Sequence, residues 1–159
     1  MFAMTCALMR GLRPTDIETI EKITRLAFPG VPHLSTNELE RSLSHSARLI
    51  LIDVRSPAEF AISHLKDAIN LRSVEEIAKR CSDRNAKLVL YCAVGFRSAR
   101  LVSKLQKRGF RNPVNLEGSI FRWINEGRPV YSGAALASSV HPFGSMWSGL
   151  LKRGSTAKI

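Results

Sequence analysis

The stretch Leu88-Val89-Leu90-Tyr91-Cys92-Ala93-Val94-Gly95-Phe96-Arg97-Ser98-Ala99-Arg100-Leu101-Val102 decides how this chain reads. An apolar run ends at a cysteine, an arginine follows five positions later, and a helical pattern starts at Ser98. The order predicts a buried strand, a short loop and a helix N-terminus. Unpaired N–H groups in a first helical turn, together with the helix dipole, favour negative charge. Such settings lower a cysteine pKa from about 8.5 to roughly 3.5–7.5. Cys92 is therefore the candidate nucleophile, with Ala93, Val94, Gly95, Phe96, Arg97 and Ser98 as its candidate anion cradle. Gly95 can take positive φ and leaves room for a ligand, and Arg97 offers a planar, permanently charged fork to an anion.

The flanking chain alternates strand and helix signals. Arg48 to Val54 is nearly all apolar, as in a strand buried on both faces of a parallel sheet. Pro57 to Ile62 starts a short helix with proline in its first turn, Ala68 to Leu71 a brief strand, and Val74 to Arg80 a helix with Ile77 and Ala78 inward. Lys87 to Tyr91 carries Cys92, Ser98 to Arg108 is a helix stopped by Gly109, Val114 to Leu116 a strand, and Gly118 to Glu126 a last helix bearing Trp123. The fold class is α/β with a mainly parallel sheet. Upstream, Leu34 to Leu39 caps a short helix running to Leu43. Before it, Thr15 and Glu18 form a capping-box pattern for a helix with Ile17, Ile20, Ile23 and Ala27 on one stripe, ended by Phe28-Pro29-Gly30.

Length and composition fix the class. With 159 residues and 45% hydrophobic content, the chain makes one domain with extra length at its ends. Residues 1–33 form an N-terminal extension with one helix, its first eleven residues loosely ordered; 34–130 form the core domain; 131–159 form a basic Gly/Ser/Ala-rich C-terminal tail. From Ser132 on there is no acidic residue, yet Phe143, Met146, Trp147, Leu150 and Leu151 stand beside Lys152, Arg153 and Lys158. That segment reads as a mobile or packed tail, or as one docking to a partner or membrane surface.

Cys6, Cys81 and Cys92 contain no CxxC pair, so neither a disulfide framework nor a metal site is indicated, and a reducing, cytoplasmic setting is expected. No apolar stretch reaches the roughly 18–20 residues of a membrane span. A formal charge of +11 suits anionic partners. Arg100, Lys104, Lys107, Arg108 and Arg111 share one face of the helix after the loop, which would steer anionic donors or dock an acidic protein. No aromatic interleaving accompanies this face, so nucleic acid is not the expected partner.

Residues 34 to about 130 resemble the single-domain rhodanese-like sulfurtransferases. The resemblance is carried by Leu51-Ile52-Asp53-Val54-Arg55-Ser56-Pro57-Ala58-Glu59-Phe60, Ser63-His64-Leu65 with Ala68-Ile69-Asn70-Leu71, Tyr91 to Ser98, and Leu116-Glu117-Gly118 followed by Trp123 and Gly127-Arg128-Pro129-Val130. It implies a central, mainly parallel five-stranded sheet flanked by helices. The implied activity takes a sulfane sulfur from thiosulfate or a persulfide onto Cys92 and passes it to a thiol, cyanide or another thiophilic acceptor. The persulfide is then the covalent intermediate and no cofactor or metal is needed. The alternative is a non-catalytic rhodanese-like interaction or sulfur-carrier module. Phosphatases and arsenate reductases of the same fold use Cys-x5-Arg, whereas this loop is Cys-x4-Arg.

The expected supporting residues are Asp53 and Arg55 as an ion pair or brace, Glu59 paired with an arginine, and His64 as a structural hydrogen-bonder. Three positions depart from the family. Lys66-Asp67 stands where many members have Pro-Gly, Gly118-Ser119 replaces the usual Gly-Gly, and Ala93 replaces a second cation found in many thiosulfate-preferring members.

Overall fold

The computed structural model describes residues 16–45, 48–142 and 149–152. The expectations for residues 1–11, Cys6, Phe143, Met146, Trp147, Arg153 and Lys158 lie outside these.

Two neighbouring strands build the centre. Strand β2 (Ile50–Asp53) and strand β4 (Leu88–Tyr91) pair in parallel, with Leu51 opposite Val89 and Asp53 opposite Tyr91. Side chains alternate across a strand, so Leu88 and Leu90 enter one apolar layer and Val89 and Tyr91 the other; all four are fully buried. Adding β1 (His33–Leu34), β3 (Ile69–Asn70) and β5 (Pro113–Leu116) gives a five-stranded sheet ordered β1-β5-β4-β2-β3. Every pairing in it is parallel.

Helices cover both faces. Ile20 of α1 (Ile17–Ala27), Leu39 of α2 (Thr36–Ser44) and Ile120 and Phe121 of α6 (Ser119–Asn125) fill the layer with Val89 and Tyr91. Val74 and Ile77 of α4 (Val74–Arg80) and Ala99, Val102 and Leu105 of α5 (Phe96–Lys107) fill the other. The short α3 (Pro57–Ile62) lies between β2 and β3. Ser35 and Ser56 each cap their helix in a reciprocal box with Glu38 and Glu59, worth about 1 kcal/mol per cap.

Beyond shifts of one or two residues at other element ends, strand β1 is absent from the sequence reading, and the structure departs from that reading at three further places. Helix α1 is capped by Asp16, whose carboxylate accepts from the Thr19 N–H at 2.6 Å, and not by Thr15. Helix α5 begins at Phe96, two residues before Ser98, because Gly95 turns the chain at φ 103° and needs no side-chain cap. After the core, β6 (Val130–Ser132) and β7 (Ala135–Ala137) form an antiparallel hairpin. Tyr131 pairs its backbone with His64 at 2.7 and 2.8 Å, while Val140, Leu150 and Leu151 are buried in the layer around Tyr91.

Candidate active site

Strand β4 delivers Cys92 on the same face as Leu88 and Leu90, at the floor of the loop 92–95. The residue is almost wholly enclosed, 1% exposed. The Gly95 N–H donates to Cys92 Sγ at 3.1 Å, and the Ser98 Oγ lies 3.5 Å away. The loop doubles back so that an N–H three residues on points at the sulfur, and positive φ at Gly95 then turns the chain into α5.

The loop is held from behind. The Cys92 N–H donates to the Ser119 hydroxyl at 3.1 Å, which itself donates to the Leu116 carbonyl at 3.0 Å. The Cys92 and Ala93 carbonyls accept from Ile120 and Phe121 at 3.3 and 3.0 Å. Ala93 and Val94 point their side chains into the apolar layer, so they contribute structure, and no donor reaches the sulfur from them. Phe96 packs edge-on against Phe28, just past the end of α1, with ring centres 5.1 Å apart.

Charge decides the state of the thiol. Burial pushes the Cys92 pKa up, but the Arg97 guanidinium, the Ser98 hydroxyl and the Ser98 and Gly95 N–H groups outweigh it, and the net shift is below the ordinary thiol value. Arg97, in the first turn of α5, also pairs with Glu59 at 2.9 Å. Burial opposes both charges, yet the pairing holds the Glu59 carboxyl below its usual range and raises Arg97. Cys81, the other buried thiol among the described residues, is pushed up by burial, with Arg80 only partly offsetting it.

The other expected residues fall around this centre. Asp53 and Arg55 form a fully buried pair at 2.7 Å, and Arg55 also donates to the Ser63 carbonyl at 2.5 Å. His64 stacks on Phe60 at 4.2 Å between ring centres and bonds the Leu65 carbonyl through Nδ1 at 2.9 Å, which places it in the docking of β6. On the open side, Arg97 lines a cleft of about 350 Å³ with Ser56, Arg72, Ser73, Arg100 and Lys104. Of the expected basic face, Arg100, Lys104 and Lys107 lie on α5, while Arg108 is its C-cap, engaged with Glu75 at 3.0 Å, and Arg111 lies beyond the helix; Arg100 and Lys104, and Arg72 across the cleft, make no ion pair among the described residues.

Two contributors were missed in the sequence, Ser119 and Asn115. The Asn115 Oδ1 accepts from the Ser98 hydroxyl at 2.6 Å inside the sheet. Its signal was a lone polar residue within Val114-Asn115-Leu116. The two departures at Asp67 and Ser119 share one feature: among the described residues they are the only non-glycines at positive φ, 60° and 51°. Each adopts the conformation a glycine would take.

A family model described as the rhodanese-like domain matches residues 35–126. A sulfurtransferase of Allochromatium vinosum is 30% identical over 102 residues, covering 63% of this chain and 94% of its own. A protein of Mycobacterium tuberculosis named "Probable adenylyltransferase/sulfurtransferase MoeZ" is 39% identical over 103 residues, 60% of this chain, but the chain spans only 25% of that protein's length. Among solved structures, a rhodanese-related protein from Thermoplasma volcanium superposes with a TM-score of 0.54 at 30% identity, over 64% of this chain and 98% of that one.

Proposed function

The chain belongs to the rhodanese-like domain family, and from that premise we propose that it is a sulfurtransferase working through a persulfide on Cys92. The observation that carries this is a buried thiol with a lowered pKa, 3.1 Å from the Gly95 N–H, in a Cys-x4-Arg loop. The thiolate attacks the outer sulfur of a donor such as thiosulfate or a persulfide. A new S–S bond forms to Cys92 Sγ while the donor's S–S bond breaks, and its electron pair leaves on sulfite or a thiolate. A thiophilic acceptor, a thiol or cyanide, then attacks the outer persulfide sulfur and returns the Cys92 thiolate. Both enzyme forms are anions held by the same donors.

The cleft beyond Arg97 supports an anionic donor, and the exposed Arg100 and Lys104 suit an acidic acceptor protein. The covalent route asks for no cofactor, and a reducing compartment such as the cytoplasm would preserve the thiol.

Intact mass spectrometry after incubation with thiosulfate and with persulfide donors tests the reading. The protein gains one sulfur atom, and Cys92→Ser abolishes both the gain and the transfer. A Cys92→Ser variant that still turns over at the wild-type rate would end it.

A further inference from the structure

The Ser98 hydroxyl has one proton and three acceptors in reach: Asn115 Oδ1 at 2.6 Å, the Gly95 carbonyl at 3.2 Å and Cys92 Sγ at 3.5 Å. The shortest contact takes the proton. Asn115 is 1% exposed, on β5, and its Nδ2 lies 3.2 Å from His33 Nδ1 on the edge strand β1. The register that sets His33 opposite Asn115 closes the contact. An unbroken polar chain therefore runs from the buried sulfur through Ser98 and Asn115 to His33, whose Nε2 is buried without a partner among the described residues.

This chain can point either way. The oxygen and nitrogen of a carboxamide are nearly isosteric, so a half-turn of the Asn115 amide exchanges them without displacing a neighbour. With His33 Nδ1 bare, Asn115 donates to it and accepts from Ser98, whose proton then faces away from the sulfur. With Nδ1 protonated, His33 donates to the amide oxygen. The amide nitrogen in turn donates to Ser98 Oγ, and the hydroxyl turns its proton onto Cys92 Sγ. The second polarity aims every hydrogen bond at the sulfur, and a charge-assisted bond makes it worth most when the sulfur is an anion.

We propose that His33 and Asn115 are positioning residues that set, through Ser98, how firmly the Cys92 anion is held. Protonation of His33 strengthens the hold, and formation of the anion raises the proton affinity of His33 by the same factor. The inference rests on Cys92 being the reactive thiol, and not on sulfur transfer itself. No heavy atom moves between groups; the proton on His33 comes from solvent and the rest of the chain only reverses direction. Burial is the main influence on His33 and opposes its protonation; of the charged groups facing it, Glu117 favours protonation and Arg25, paired to Glu117 at 2.5 Å, opposes it, so that its pKa is held below the ordinary imidazole value. Facing the sulfur is Arg97, backed by Glu59.

The test is the rate of Cys92 alkylation by iodoacetamide against pH, localised by peptide mass, beside an NMR titration of the His33 ring in the same full chain. Below the thiol pKa the logarithm of the rate should follow two parallel lines, the acid one displaced upward by about fivefold, joined at the His33 midpoint. His33→Phe and Asn115→Leu should each leave one straight line. Asn115→Leu is decisive because His33 keeps its charge in place. A displacement that survives it comes from attraction through space and overturns the proposal, as does a wild-type profile with no displacement. Ser98→Ala cuts the chain at another link and should also remove the displacement, which keeps the test open if Asn115→Leu does not fold. A displacement in a protein that transfers no sulfur would sink the sulfurtransferase reading and leave this one standing.

Discussion

Asp53–Arg55 and Glu59–Arg97 are two carboxylate–guanidinium pairs built around one short stretch, the end of β2 and the helix after it. Their chemistry is the same and their surroundings differ. Both side chains of the first pair are 0% exposed, whereas Arg97 is 30% exposed against 5% for Glu59. In the first, Asp53 also accepts from the Arg55 N–H at 2.9 Å, and the guanidinium reaches the Ser63 carbonyl and lies 5.9 Å from the centre of the Tyr91 ring. Arg55 thus knots the end of β2 to the end of α3 and to β4. In the second, Glu59 is anchored by the Ser56 cap, while Arg97 sits between that carboxylate, the Cys92 sulfur and the cleft. An enclosed pair can only brace. A half-open one can exchange a partner for a ligand.

The sharpest way to break this contrast is to remove Arg55. Arg55→Met leaves Asp53 buried and unpaired, which costs about 3–5 kcal/mol and lowers Tm by roughly 2–4 °C for each of them. Thermal and urea denaturation measure it. If Arg55→Met instead keeps wild-type stability and loses sulfur transfer, Arg55 belongs to the chemistry and the contrast fails.

Arg97→Gln comes next and strikes function. Losing a charged donor aimed at the reacting anion should lower kcat/KM roughly 100-fold, about 2.7 kcal/mol, at a stability cost of about 1 kcal/mol, well below that of Arg55→Met because Glu59 keeps its bonds to Ser56. The folded pKa of Cys92 is depressed, so the wild-type alkylation rate should rise with pH and level off below the range of an ordinary thiol. Arg97→Gln should move that plateau to higher pH. Glu59→Gln keeps the cap and removes the opposing charge, so it should move the plateau the other way, at a stability cost of about 1 kcal/mol. Two shifts of the same sign would show that the pair acts as a brace, like its buried counterpart.

Much of this was legible in the residues, and the rest was not for physical reasons. The uninterrupted apolar runs through Ile50–Asp53 and Leu88–Tyr91 announce strands covered on both faces, and Ser56-Pro57 with Glu59 announces a capped helix. The Cys92–Arg97 spacing could be counted directly. The start of α5 at Phe96 could not, because Gly95 caps it through backbone conformation and leaves no side-chain signature. The β6–β7 hairpin escaped because Ala135 and Leu136 are exposed and show no alternating pattern. Asn115 and His33 carry no local sign of their partnership. Their contact exists only because β1 and β5, 82 positions apart at these residues, pair in one register.

The smallest effect probes the same contrast in two turns. Asp67 and Ser119 both hold left-handed backbone, at φ 60° and 51°, a conformation that costs a non-glycine on the order of 1 kcal/mol. Asp67 is exposed, in the turn closed by Ala68 N–H to the Leu65 carbonyl at 3.2 Å. Ser119 is fully buried, and its hydroxyl bridges the Cys92 N–H and the Leu116 carbonyl. Asp67→Gly should therefore release strain and stabilise by about 0.5 kcal/mol, the gain being trimmed by the greater freedom of glycine in the unfolded chain. Ser119→Gly releases the same strain but strands the Cys92 N–H without a partner, which costs about 1–3 kcal/mol. Its net effect should be destabilising, and alkylation of Cys92 should change with it, because the backbone carrying the sulfur is no longer pinned. Equal stabilisation by both glycines, with the alkylation profile untouched, would mean that the hydroxyl of Ser119 does nothing for Cys92. The opposite signs expected here follow from the buried hydroxyl's hydrogen bonds, since the two residues have nearly the same φ.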